Sequence, residues 1–327
     1  MRARRLLLPL SLAYGAAAAL RRGAYRRGMC GQARLPAPVI SVGNLSVGGS
    51  GKTPLVAWIA ERLLEASLPV AILSRGYAGS FRGEFLMVSD GERVLADAEL
   101  AGDEPVMLAQ ALPGAVVAVG ARRDAVGRAV LARFGRRVLV LDDGFQHLRL
   151  ARDLDVLCLG SGDQADWPLP AGRLREFAGA AALADVRVRV VEPGEQAKGA
   201  DVLLARRRPV GFFDLHGAPS QPPRRAALLS ALARPDGFEA DVRSLGIEVV
   251  AHARHRDHHR FTSDELRAAF GDASARGADA LVTTAKDLLR VPPHESALPL
   301  LMLKSRLELT EPAPFVERLL AVARRAA

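Results

Sequence analysis

The chain is poor in several things that would narrow its class. Two cysteines, Cys30 and Cys158, stand in 327 residues. They make no disulfide framework and have no metal-ligand spacing, which excludes a small secreted scaffold and a zinc-finger array. Aromatic residues reach only 5%, and lysine occurs four times against 41 arginines. No run of about 18 uncharged apolar residues appears, which argues against a polytopic membrane protein. No acidic residue precedes Glu61. What the chain does have is a 49% hydrophobic fraction, enough for a packed core and for about two domains at this length.

The net charge of +9 is local. Arg2, Arg4, Arg5, Arg21, Arg22, Arg26, Arg27, Arg34 and Lys52 fall in the first 60 residues, while the remainder holds 36 basic and 36 acidic residues. The body is near neutral and carries a cationic arm over residues 1–28. Leu6 to Leu20 form an apolar stretch inside that arm, too short to cross a bilayer. The favoured reading is contact with a membrane surface, because arginines approach anionic lipid and an apolar face enters the interface. A packed N-terminal helix and a secretory signal are the alternatives; the arginines that follow at once disfavour the signal. Few aromatics are present for base stacking, so nucleic acid is not an expected partner.

Short apolar runs at Ala37–Val42, Val70–Leu73, Ala115–Val119, Val138–Leu141, Leu154–Leu159 and Val186–Val190 alternate with helical patterns such as Pro54–Ala66. This predicts a parallel sheet flanked by helices over residues 29–205. The Arg- and Pro-rich residues 206–223 read as a linker. Residues 224–327 alternate again, through Arg225–Leu232, Ala240–Leu245, Ser263–Phe270, Ala280–Thr283 and Leu300–Leu303, and predict a smaller α/β domain.

Ser46-Val47-Gly48-Gly49-Ser50-Gly51-Lys52-Thr53 lies between a predicted strand and a predicted helix, the context of a phosphate-binding loop. Backbone N–H groups there cradle phosphates, Lys52 reaches the β- and γ-phosphates, and the Thr53 hydroxyl serves magnesium. The usual first glycine is Ser46. Val138–Leu141 ends in Asp142-Asp143, a strand-end pair that repels itself unless a cation is near. Gln146 and His147 follow with polar groups within reach of the same metal and phosphates. Asp103-Glu104, taken alone, reads as a helix start. Asp257-His258-His259 belongs to a run with four of the seven histidines, which is open to metal binding or to a plain polar loop.

Taken in order, several segments resemble the tetraacyldisaccharide 4'-kinase family. They are Ser41-Val42-Gly43-Asn44-Leu45-Ser46 with the loop to Pro54; Ser74-Arg75-Gly76-Tyr77; Gly102-Asp103-Glu104-Pro105; Leu141-Asp142-Asp143-Gly144-Phe145-Gln146-His147; Leu169-Pro170-Ala171-Gly172-Arg173-Leu174-Arg175-Glu176; Asp257-His258; and Thr283-Thr284-Ala285-Lys286-Asp287. The resemblance implies a P-loop NTPase-like domain plus a smaller α/β domain that closes the active-site cleft. It implies transfer of the ATP γ-phosphoryl group, with magnesium, to the 4'-hydroxyl of an acylated glucosamine disaccharide 1-phosphate, giving lipid IVA. It implies work as a monomer at the cytoplasmic face of the inner membrane, as a peripheral or monotopic protein. By position, Lys52 and Thr53 serve phosphates and magnesium. Asp142, Asp143, Gln146 and Glu176 form the metal sphere, and Asp103 with His258 forms the catalytic dyad. Arg75, Tyr77, Arg123, His147 and Arg175 are candidates for phosphate or sugar contacts.

Two positions depart from the family: Ala285 where Glu is usual, and Phe177 where Pro is usual. Two other readings compete. One is a P-loop ATPase or GTPase switch, which Thr284-Ala285-Lys286-Asp287 superficially suits. The other is a silent membrane-bound scaffold.

Overall fold

A computed structural model describes residues 4, 6–48, 51–160, 162–191 and 202–325. The chain divides into two compact units. The first comprises residues 1–190, 197–205 and 309–327; the second comprises 191–196 and 206–308.

The first unit opens with helix α1 (Leu8–Arg26). Strand β1 (Val39–Asn44), helix α2 (Lys52–Glu65) and strand β2 (Val70–Ser74) follow. Then come β3 (Leu86–Asp90), α3 (Ala98–Ala101), α4 (Asp103–Ala111), β4 (Val116–Val119), α5 (Arg123–Phe134), β5 (Val138–Asp142), β6 (Leu154–Leu159) and β7 (Val186–Val191). The strand order in this unit is β7-β6-β1-β5-β2-β4-β3. Every pairing among them is parallel except β3 with β4. β1, β2, β4 and β5 are buried along their whole length. Helices cover both faces of such a sheet, so its strands read as continuous apolar runs rather than alternating ones. β3 escapes that reading because it is an antiparallel edge strand whose two ends are only half-buried.

In register, Ser41 pairs with Leu141 and Val42 with Asp142, while Leu73 on β2 pairs with Leu141. The carboxyl ends of β1, β2 and β5 therefore lie side by side. Loops that leave those ends are where an open parallel sheet binds ligands. Leu45, Phe145, Leu157, Leu159 and Leu174 form a small core directly beneath them.

The second unit carries β8 (Leu203–Phe213), β9 (Pro219–Ser220), β10 (Arg225–Ser230), α6 (Pro235–Ser244), β11 (Glu248–Arg254), α7 (Ser263–Ala275), β12 (Ala280–Thr284), α8 (Ala285–Leu288) and β13 (Leu300–Leu309). Its strand order is β11-β10-β12-β13-β8, parallel from β11 to β13, with β9 hairpinned back on β8. Residues 206–223, expected as a linker, thus contribute β8 and β9. Ala240–Leu245 lies on a helix, α6, and β11 is an unexpected strand. The last helix, α9 (Ala313–Arg325), belongs to the first unit, where Phe315 stacks on Trp58 of α2 at 5.6 Å between ring centroids.

The N-terminal arm is a helix packed within the first unit. Only Ser11, Gly15 and Arg22 of α1 are buried, and their spacing puts them on one face. The Ser11 hydroxyl accepts from Ala171 N at 2.7 Å, and a side chain at Gly15 would collide with the Phe177 ring. Leu10, Leu12 and Leu20 are exposed, Leu20 by 73%. No described helix is long and apolar enough to cross a membrane.

Candidate active site

The loop after β1 enters α2 through a left-handed turn. Gly48 has φ 109° and Gly51 φ 86°, and a Cβ at Gly51 would sit 2.7 Å from Val190. Both positions need glycine. Gly49 and Ser50 lie outside the described residues. The loop is braced by segment 167–175: Val47 N donates to Arg173 O at 2.8 Å, Arg175 N donates to Leu45 O at 2.6 Å, and Ser46 bridges Leu174. Lys52 opens α2 and Thr53 follows in its first turn, where unpaired N–H groups favour anions.

β5 delivers Asp142 and Asp143 opposite this loop. Asp142 is buried, and its Oδ2 accepts from Ser74 Oγ at 3.0 Å. Its Oδ1 is buried with no hydrogen-bond partner among the described residues. Burial first, then the neighbouring Asp143, pushes the Asp142 carboxyl above the usual range; Lys52 and Ser74 oppose this. Asp143 takes a left-handed conformation, φ 55°, which turns its side chain out of the strand direction. It faces Lys52 Nζ at 3.7 Å and Arg175 Nη1 at 2.7 Å. Burial raises its pKa, but Lys52 and then Arg175 outweigh that and hold it below the ordinary value. Two adjacent carboxylates are thus driven apart, one held ionised by cations and one left with an open oxygen.

Arg123, at the start of α5, is buried and its Nε has no partner among the described residues. Burial lowers its pKa; Asp143 and Asp142 oppose that, while the charge of Arg75 adds to it. Arg75 and Tyr77 are exposed just beyond the end of β2. His147 is held neutral, its pKa down at about 4, by burial first and by Arg123 next. Gln146 donates to Asn44 O at 3.0 Å and to Glu176 at 3.2 Å, and its Oε1 faces Arg175 at 3.4 Å. Lys52, Asp142, Asp143, Arg75, Arg123, Arg175, Gln146 and His147 therefore converge at the carboxyl ends of the central strands.

Glu176 is buried with both carboxylate oxygens on Arg22, at 2.5 and 2.6 Å. Asp103 is a buried residue at the first position of α4, entered through Gly102 at φ 90°, where a Cβ would meet Tyr77 O at 2.4 Å. His258 belongs to the second unit; its φ is 66° and its Nδ1 lies 2.6 Å from Arg290. Nothing in the sequence pointed to Arg22 or Ser74 individually, because their partners are 154 and 68 residues away.

The donor set suits magnesium, a hard cation that takes oxygen ligands. Asp142 Oδ1 is a buried oxygen without a partner among the described residues, and Asp143, Gln146 and Thr53 offer further oxygens on the adjoining segments. In the histidine run of the second unit, a nitrogen each of His255 and His259 and an oxygen of Glu265 lie within 4.8 Å of one another, close enough to hold a metal ion. The two rings stack at 4.6 Å, and His259 already bonds Glu265 at 2.9 Å.

The two departures are also accommodated. Phe177 has φ −59°, the value proline would impose, and packs on Gly15. Ala285 opens α8, and Lys286 takes its carboxylate partner from Asp257 at 2.6 Å. Asp287 is fully buried and bonds Thr284 at 2.8 Å, so it presents no carboxylate to a guanine base.

The profile of the tetraacyldisaccharide-1-P 4'-kinase family, LpxK, matches residues 3–324. A tetraacyldisaccharide 4'-kinase of Pelobacter propionicus is 38% identical over 96% of this chain and 91% of its own. One of Geobacter metallireducens is 40% identical over 90% of each chain. The crystal structure of LpxK from Aquifex aeolicus in complex with ATP superposes with a TM-score of 0.81, at 32% identity, over 98% of this chain and 99% of that one.

Proposed function

The chain belongs to the tetraacyldisaccharide-1-P 4'-kinase family, and from that premise we propose how its residues divide the work. It is an ATP-dependent kinase that phosphorylates the 4'-hydroxyl of tetraacyldisaccharide 1-phosphate, using magnesium. The observation that carries the division is the strand-end cluster: Lys52 lies 3.7 Å from Asp143, and beside it Asp142 keeps a buried oxygen without a partner among the described residues.

Phosphoryl transfer depends on positioning and on charge stabilisation more than on covalent chemistry by the protein. In this reading the loop amides and the start of α2 hold the β- and γ-phosphates. Lys52 exchanges its contact with Asp143 for the γ-phosphate. Asp142, Asp143, Gln146 and Thr53 hold the metal. What bound magnesium supplies is neutralisation of the charge on the phosphate oxygens. Arg123 and Arg75 orient the transferring group, and Arg175 keeps Asp143 in place. A sugar hydroxyl has a high pKa, so a base within hydrogen-bond distance is useful. Asp103 fills that role, with His258 as the partner that the family resemblance implies.

The substrate stays in the bilayer while its sugar is phosphorylated. Exposed Leu10, Leu12 and Leu20 beside Arg21, Arg26 and Arg27 give α1 a face for an anionic membrane surface, and the cytoplasmic face of the inner membrane is the side assigned to it in this reading. Changing Asp103 to Asn is expected to lower turnover at least about 100-fold with the affinity for ATP within about twofold. Loss of ATP binding with normal turnover at saturation would remove Asp103 from the role of base.

A further inference from the structure

Arg22 is the one fully enclosed cation of α1, and it touches both segments that build the phosphate site. The residue is 6% exposed. Nε and Nη2 grip the two oxygens of Glu176, Nη2 also donates to Phe145 O at 2.9 Å, and the group sits 4.2 Å above the Phe145 ring. Four contacts fix it in one orientation. Phe145 is the residue between the Asp142-Asp143-Gly144 turn and Gln146. Glu176 is the residue after Arg175. A single side chain of the N-terminal helix therefore holds the two stretches that carry Asp143, Gln146 and Arg175.

The contacts continue without a break. Glu176 accepts from Gln146 Nε2 at 3.2 Å, Gln146 Oε1 faces Arg175 Nη1 at 3.4 Å, and Arg175 Nη1 holds both oxygens of Asp143 at 2.7 and 2.8 Å. Asp143 in turn faces Lys52. Each anion in this row has its own cation: Glu176 has Arg22, and Asp143 has Arg175.

We propose that Arg22 is a positioning residue for the metal-holding groups, and that through it the seating of α1 sets the geometry at Asp143 and Gln146. This rests on the reading of Asp142, Asp143 and Gln146 as the groups that hold magnesium. A buried carboxylate stripped of its partner is costly, and it recruits whatever cation is near. Without Arg22, the nearest cation along the row is Arg175. Arg175 then leaves Asp143 for Glu176, and Gln146 is released from its fixed orientation between them. The binding of ATP through the loop and Lys52 is untouched by this change; the extra affinity that magnesium adds is what disappears. A lysine at position 22 keeps the charge but not the two-pronged grip, so it restores only part of the effect.

Equilibrium binding of ATP to the full chain tests this, in magnesium and in EDTA, with a melting curve for each protein. Wild type is expected to bind ATP more tightly in magnesium than in EDTA. In Arg22→Met the magnesium-dependent gain shrinks by about tenfold, the factor set by one lost charge-assisted hydrogen bond, while affinity in EDTA stays within about twofold. In Arg22→Lys the gain shrinks by about threefold. Ala16→Gln, on an exposed position of the same helix, changes neither affinity. Should Arg22→Met fail to melt cooperatively, Arg22→Lys decides the matter. A magnesium gain that survives intact in a folded Arg22 variant overturns the proposal. Absence of any magnesium gain in wild type contradicts the metal reading itself, a separate failure.

Discussion

The strand-end site of the first unit and the histidine corner of the second are both crowded with charge, and they treat it in opposite ways. At the strand ends, Asp142 Oδ1, Arg123 Nε and His147 Nε2 are buried without a hydrogen-bond partner among the described residues. In the histidine corner, Glu239 bonds His252 at 2.9 Å and Arg254 at 2.8 Å, and Glu265 bonds His259 while capping α7 through Thr262. Ser230, His252 and Glu239 even line up as a nucleophile, a base and an orienting carboxylate would, at 2.8 and 2.9 Å. Ser230 has no exposed surface, so no substrate reaches it. Saturated charges hold a fold together; buried polar atoms left open are candidates for a ligand, although Asp124, Asp155, Asp163 and Asp287 also keep such an oxygen outside this cluster. Between these two clusters, that contrast separates the reacting site from the supporting one better than charge density does.

The comparison can be broken at its centre first. Lys52→Ala removes the cation that faces both Asp143 and the incoming phosphates, and phosphoryl transfer is expected to fall at least about 1000-fold, read with γ-labelled ATP. Asp142→Asn should cost about 100-fold in the same assay, because the open oxygen loses its charge. Its melting temperature should be no lower than wild type, since the amide keeps the Ser74 contact and sheds a desolvated charge. A drop in melting temperature with full activity would mark Asp142 as structural.

The second unit should answer the other way. Glu239 has its carboxyl held down at about 2, by the His252 hydrogen bond first and by Arg254 and Arg243 as well. Glu239→Gln should lose about 1–2 kcal/mol of stability at neutral pH by denaturant titration, with ATP affinity unchanged. The smallest effect concerns pH. His147 is depressed from 6.5 to about 4 in the folded chain, so between those values the unfolded state binds the extra proton. Stability contributed by neutral His147 is present above 6.5 and is lost as the pH falls toward 4. His147→Gln should make the melting temperature fall less steeply across that window.

Much of the reacting site is legible in the sequence because its parts are local. The loop from Ser46 to Thr53, the β5 end at Asp142-Asp143 and the segment around Arg175 each carry their meaning within ten residues. The sheet was legible for the same reason: strands buried on both faces are unbroken apolar runs. What was not legible is long-range or alternating. The grip of Arg22 on Glu176 joins residues 154 apart, so the packed face of α1 has no local signature, whereas its exposed leucines do. Residues 206–223 looked like a linker because Arg206-Arg207-Arg208-Pro209 resembles punctuation, yet β8 runs through them with alternating burial. α9 is amphipathic in sequence, but nothing there says that it belongs to the first unit, where Phe315 stacks on Trp58.

The most direct measurement is transfer from γ-labelled ATP to tetraacyldisaccharide 1-phosphate in mixed micelles with magnesium, run on wild type, Lys52→Ala and Glu239→Gln. Labelled bis-phosphorylated lipid is expected from wild type and from Glu239→Gln, and none above background from Lys52→Ala. Labelled lipid from Lys52→Ala at the wild-type rate, or its loss in a folded Glu239→Gln, would contradict the assignment of chemistry to the strand ends and support to the histidine corner.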